Sequence, residues 1–254
     1  MTNNFSVYPI KGIPEIVQGD DLTSIILEAV NKGPGLEAFD ILVITSKIIS
    51  KAEGQFVHSS SREKIIKEET VRIIAERGPT KIVETKHGLI MAAAGVDASN
   101  APKGMILKLP TDSDESARRL RNKIQKTVKP VGIIITDTMG RAWRLGLTDN
   151  AIGVAGVTTL LDYRGQKDAA GRTLEQSITA VADEIASAAE LVKGKLDQIP
   201  VVLIRGLNQY VLNEDGPGAR SVIRPPNEDL FGLGTEMAQR QGYLQGLEEG
   251  KKKN

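Results

Sequence analysis

Runs of consecutive apolar residues, more than alternation, mark the strands of this chain. Residues 41–44 (ILVI), 133–135 (III) and 200–204 (PVVLI) each read as a buried strand, because a strand covered on both faces has no polar side. Residues 153–157 read as a close-packed strand, and 89–94 as an apolar stretch entering the polar loop 95–100. Helical spacing takes over in three places. Residues 61–77 place Ile65, Ile66, Ile73 and Ile74 on one face before Gly78-Pro79 ends the run. Residues 114–126 turn Ala117, Leu120 and Ile124 inward, with Arg118, Arg119, Arg121 and Lys123 outward as a solvated face. Residues 172–192 form the longest helical pattern, with Ile178, Val181, Ile185 and Ala188 on one face. The stretch 213–234, rich in Gly and Pro, reads as irregular, and 235–254 as a frayed tail. There is no internal repeat. Strands and helices alternate without strict βαβ spacing, so the expected class is α+β, or mixed α/β.

Composition narrows the function classes. With 33 Lys+Arg against 32 Asp+Glu, the net charge of +1 gives no global attraction to nucleic acid or anionic membrane, so any anion site must be local. Aromatic content of 4% leaves few rings to stack on bases. The absence of cysteine excludes thiolate catalysis and cysteine metal sites. No apolar run approaches a bilayer span, and MTNNFSVYPIKG lacks the pattern of a secretory signal, so a cytoplasmic enzyme or binding protein is expected.

The candidate chemistry lies just beyond the apolar runs, in residues 45–51, 97–100 and 137–144. Strand ends converge on one sheet edge, where ligands of open α/β sheets bind. Asp97 and Asp137 could share one divalent cation, with Asn100 and Thr138 beside it, and Lys47, Lys51, Arg141 and Arg144 would neutralise phosphate. The competing reading is a capped turn with solvated arginines. Neither a Walker A sequence nor G-x-G-x-x-G is present. His58 and His87 read as surface or structural histidines, and Trp143 as a loop anchor in a core.

Several segments occur in a fixed order: GIPEI, SKIISKAEG from Ser46, GVDASNAP from Gly95, ITDTMGR from Ile135, AIGVAG from Ala151, DYRGQKDAAGR, VADEIASAAELV and VVLIRG. Together, across residues 9–206, they resemble the GTP-dependent ligases that add L-glutamate to the deazaflavin coenzyme F420-0. The resemblance implies a single ligase unit over 1–254 with a two-lobed mixed fold, acting as a homodimer. It implies GTP phosphorylating the coenzyme's terminal carboxylate, glutamate displacing phosphate, and a second, γ-linked round. It also implies Mn2+ or Mg2+, with K+ as a further candidate ion. Asp97 and Asp137 match the principal metal ligands, and Thr138 a ligand of a second metal. Lys51 joins the two aspartates as a catalytic position. Gly12, Ile13, Pro14, Glu15, Ser46, Lys47, Lys51, Asn100, Lys193, Gly194 and Lys195 match nucleotide positions. Lys195 departs from the pattern, since relatives often carry an acidic or amide residue there and a protonated lysine cannot ligate a cation. Asp197 is an alternative partner for that metal. Another nucleotide-dependent carboxylate–amine ligase and a non-catalytic nucleotide-binding module remain alternatives.

Overall fold

The structure, a computed structural model, describes residues 4–229, 231 and 235–252. The chain begins with β1 (Ser6–Ile10), α1 (Leu22–Asn31), β2 (Ile41–Thr45) and α2 (Ser46–Ala52). A smaller body follows, made of β3 (Phe56–His58), α3 (Arg62–Glu69), β4 (Thr70–Arg77), β5 (Thr80–Thr85), β6 (Ile90–Ala92) and β7 (Met105–Leu107). The chain then returns through α4 (Ser113–Ile124), β8 (Gly132–Arg141), β9 (Arg144–Ala155), β10 (Leu161–Asp162) and β11 (Ile178–Thr179). It closes with α5 (Val181–Lys193), β12 (Val201–Arg205) and α6 (Thr235–Lys252). The class is mixed α+β.

The main sheet runs β1-β12-β2-β8-β9, and only β2 and β8 are parallel. Its apolar strands are continuous because both faces are covered. Leu42, Ile44, Ile133 and Ile135 pack with α1 and α4, while Ile41, Val43, Ile134 and Val202 pack with α5. The smaller body has its own cluster of Ile66, Val83, Ala94, Val96 and Ile106. The parallel register sets Thr45 opposite Thr136, so β2 and β8 end side by side. The antiparallel neighbour β12 begins at that same end, where the Thr45 N–H donates to the Pro200 carbonyl at 2.9 Å. No helix among the described residues is long and apolar enough to cross a membrane.

Four expectations change. Residues 61–77 do not form one helix: α3 stops at Glu69, and Thr70–Arg77 pairs with β5. The β-branched Thr70, Val71, Ile73 and Ile74 favour that strand, and Gly78 supplies the positive φ of its turn. Residues 172–180 lie outside α5 and include β11, which pairs with β10. The strand at 133–135 continues through Asp137 to Arg141 and folds back as β9. Arg121 is buried, not outward; its guanidinium donates to the carbonyls of Val131, Leu212 and Asn213 and pairs with Asp215 at 2.7 Å. Within the tail, Thr235–Lys252 is helical, and 253–254 lie outside the described residues, as do 230 and 232–234 of the irregular stretch.

Candidate active site

A cavity of about 480 Å³ opens where β2 and β8 end and β12 begins. Its walls bring together Ile13, Pro14 and Glu15 from the loop after β1, and Lys47 and Lys51 from α2. Facing them are Asn100, Asp137 and Thr138, with Lys193, Gly194 and Lys195 at the end of α5. Lys47 and Lys51 stand four positions apart, so one face of α2 carries both. Ion pairs hold them in place. Lys47 Nζ meets Asp97 Oδ2 at 2.5 Å and Ser99 Oγ at 2.7 Å, and the buried Lys51 pairs with Glu15, fixing the 12–16 loop against α2.

Three positions expected at the nucleotide or metal are not among the residues that line the cavity. Gly12 and Ser46 do not line the cavity; Ser46 is buried and Thr45 takes its place. Asp97 reaches the cavity through Lys47, which does line it. Arg141 and Arg144 lie exposed at the β8–β9 turn and do not line the cavity. Trp143 anchors no core: it is 84% exposed, with its ring 5.9 Å from that of Phe231. His58 is exposed, and His87 Nε2 lies 3.0 Å from the Pro110 carbonyl, away from Asp137's cavity.

The β8–β9 pairing adds a residue that sequence reading missed. Thr138 lies opposite Asp149 in the ladder, and both line the cavity. Buried Asp149 accepts from Thr136 Oγ1 at 2.8 Å and Thr138 Oγ1 at 2.7 Å, and pairs with the buried Lys193. Lys193 also donates to Thr136 Oγ1 at 2.9 Å. Lys195 Nζ donates to Thr138 Oγ1 at 2.7 Å and meets Glu190, a second missed lining residue, at 2.5 Å. The signal for Asp149 was its register: only the hairpin sets it beside Thr138.

The three aspartates differ electrostatically. Burial pushes the Asp137 carboxyl up to about 6, and the negative charges of Asp149 and Asp97 push in the same direction, against a backbone hydrogen bond from Thr138 and the charge of Lys47. Burial also acts on Asp97, but hydrogen bonds from Lys47 and Ser99 outweigh it and hold its carboxyl below the ordinary value. For Asp149 burial is again the largest influence, and Lys193 with the two threonine hydroxyls overcomes it, so the net direction is down. Among the described residues no side chain pairs with Asp137, and no three Asp, Glu or His residues form a ready metal cage. Two carboxylates with hydroxyl and amide neighbours do suit a hard cation that takes its remaining ligands from water and phosphate.

The chain is similar to known proteins along most of its length. A family profile described as F420-0:Gamma-glutamyl ligase matches residues 11–64 and 60–206. A coenzyme F420:L-glutamate ligase of Methanopyrus kandleri is 40% identical over 247 residues, covering 89% of this chain and 96% of the relative. Another bearing that name, from Archaeoglobus fulgidus, is 41% identical over 246 residues, covering 89% and 95%. A third, from Methanothermobacter thermautotrophicus, is 38% identical over 251 residues, covering 89% and 98%.

Proposed function

This chain belongs to the F420-0:gamma-glutamyl ligase family, and from that premise we propose that it joins L-glutamate to coenzyme F420-0 at the expense of GTP. The observation that carries this reading is the convergence of Lys47, Lys51, Lys193 and Lys195 on one cavity with Asp137. The lysines stand among Glu15, Asp149 and Glu190 as well as Asp137, so the cavity offers cations to phosphate and carboxylates to a metal ion while its own charges balance.

A carboxylate is a poor electrophile because its leaving group would be oxide. Transfer of the γ-phosphoryl of GTP to the coenzyme's carboxylate gives an acyl phosphate and GDP. The glutamate amine then attacks the carbonyl carbon, the C–N bond forms, the C–O bond to phosphate breaks, and the amine proton is lost. A further round would use the new γ-carboxylate. Lys47 and Lys51 approach from α2, and Lys195 from the segment after α5, as point charges for phosphate oxygens, while Lys193 at the end of α5 is held by Asp149. Ile13 and Pro14 offer apolar surface on the same wall.

Asp137 and Asp97, with Asn100, are the residues that would hold Mn2+ or Mg2+, and the unpaired, desolvated carboxylate of Asp137 fits a cation. Such an ion supplies neutralisation and alignment of the phosphates. At Thr138 the positive charge already belongs to Lys195, at 2.7 Å, so this reading assigns the lysine, not a second ion, to that position. A homodimer is part of the same proposal, and light scattering at assay concentration reads it.

The direct test supplies the purified chain with GTP, Mn2+, L-glutamate and F420-0. The expected result is a mass gain of one glutamyl unit with matching GDP, and weaker turnover with ATP. Asp137→Asn should lower turnover about 10²–10³-fold, the scale of losing one preorganised electrostatic contact to the transition state. Unchanged turnover in that variant would remove Asp137 from the chemistry.

A further inference from the structure

A second cavity, of about 470 Å³, shares the β8–β9 hairpin with the first but none of its lining residues. Met139 and Asn150 line it. Asn150 is the direct ladder partner of Asp137, and Met139 lies two positions beyond Asp137 on β8. Opposed residues of an antiparallel pair, and residues two apart on one strand, project from the same face, with opposed Cβ atoms roughly 5 Å apart. The second cavity therefore begins one residue pair from the Asp137 carboxylate, while Thr138 and Asp149 project from the opposite face of the hairpin.

The two cavities differ in chemistry. Four lysines and four carboxylates line the first. The second has an apolar floor of Leu89, Met139, Val222 and Ile223, with Arg220 and Arg224 and the carboxylates of Glu84, Asp183 and Asp229 among its lining residues. Arg224 is exposed and forms no ion pair with a described side chain, and the Arg220 side chain is 65% exposed with one contact to Asp112 at 3.2 Å. The wall is built. The buried Asp114 carboxylate accepts from Val154 N at 2.8 Å, Ala219 N at 2.7 Å and Arg220 N at 3.3 Å, tying the turn at Ala219–Val222 to β9. Thr159 and Ser221 hydroxyls add a 2.7 Å contact.

A ligase of this kind must bring two carboxylate-bearing partners to one nucleotide. A free amino acid, small and densely charged, gains little from an apolar floor. A flat ring system with an anionic tail gains from the floor and from the exposed Arg224, and the volume lies within the range of small-molecule sites. We infer that the second cavity holds the ring-bearing, anionic acceptor, with its reactive carboxylate directed along the hairpin toward Asp137. This inference rests on the ligase reading above.

The test uses the full chain with two substitutions outside the nucleotide cavity, Ile223→Trp to fill the floor and Arg224→Glu to reverse the charge. Fluorescence titration with F420-0 alone reads binding, and steady-state assays read the KM of each substrate. Both variants should weaken F420-0 binding and raise its KM at least tenfold, with the KM of GTP and glutamate within twofold of wild type. Unchanged F420-0 binding in both variants overturns the inference, as does a rise confined to glutamate, which would make this the amino-acid site. Should Ile223→Trp fail to fold, Arg224→Glu, on an exposed side chain, decides alone. A wild-type chain that binds F420-0 but forms no product overturns the ligase reading, while lost binding in the variants still upholds the site.

Discussion

The two ends of the main sheet both enclose a carboxylate, and they treat it in opposite ways. Before β2, the fully buried Asp40 receives two N–H groups of Arg205, at 2.9 and 2.7 Å. Arg205 in turn touches Glu37 at 2.7 Å and the Tyr8 ring at 5.8 Å. Beyond the other ends of the same strands, Asp137 faces a cavity with no such partner among the described residues, and burial raises its carboxyl to about 6. One end completes its electrostatics internally and serves the fold. The other leaves a desolvated negative charge uncompensated, which destabilises the empty protein and suits it to a cationic ligand.

Breaking the completed end should have the largest effect on stability. Arg205→Ala leaves Asp40 buried without its counter-ion, and losing one partner of a buried pair costs about 3–5 kcal/mol. The Arg205 side chain is 25% exposed, so solvent recovers part of that and the expectation is about 3 kcal/mol. Urea unfolding measures it. Turnover per folded molecule should stay unchanged, and a large fall in turnover would erase the distinction between the ends.

Neutralising the incomplete end should do the reverse, with a smaller magnitude. The Asp137 carboxyl lies near 6 in the folded chain against an ordinary value of 3.8, so the native state holds its proton more tightly. Its contribution to stability is present below about 3.8 and is lost as pH rises through about 6. The full shift corresponds to roughly 3 kcal/mol, which solvent access at the cavity reduces to about 2 kcal/mol. Metal-free Asp137→Asn should therefore be more stable than wild type by about 2 kcal/mol at pH 8, with the gap closing toward pH 4. A variant no more stable than wild type at pH 8 would show that Asp137 carries no such cost.

The same asymmetry explains what could be read from the sequence. β2, β12 and the apolar half of β8 were legible because a sheet buried on both faces writes unbroken apolar runs. Helix α4 was legible from its 3.6-residue spacing, yet Arg121 on it was not, because only the return of residues 212–215 buries its guanidinium. Strand β4 was misread since Ile65, Ile66, Ile73 and Ile74 satisfy helical spacing, while the pairing that decides the matter lies in β5. At the site, Lys47, Lys51 and Asp137 were visible as polar groups at strand ends. Asp149 was not, because its meaning depends on register across a hairpin. Local chemistry is written locally, and a charge satisfied across the sheet is not.

The smallest expected stability change separates the two kinds of charge within the active end itself. Lys193 is buried against Asp149, whereas the Lys195 side chain is 59% exposed and meets Thr138 and Glu190 at the rim. An exposed ion pair contributes about 0–1 kcal/mol, so Lys195→Gln should leave urea unfolding within about 1 kcal/mol of wild type. If its ammonium serves phosphate, the same substitution should weaken GDP binding several-fold, and the remaining affinity should depend less steeply on salt because one charge fewer is screened. Calorimetric titration with GDP at two ionic strengths reads both quantities. Equal GDP affinity and an equal salt slope in the variant would make Lys195 a rim residue of the fold, and the line between completed and uncompleted charge would then run between Asp149 and Asp137 alone.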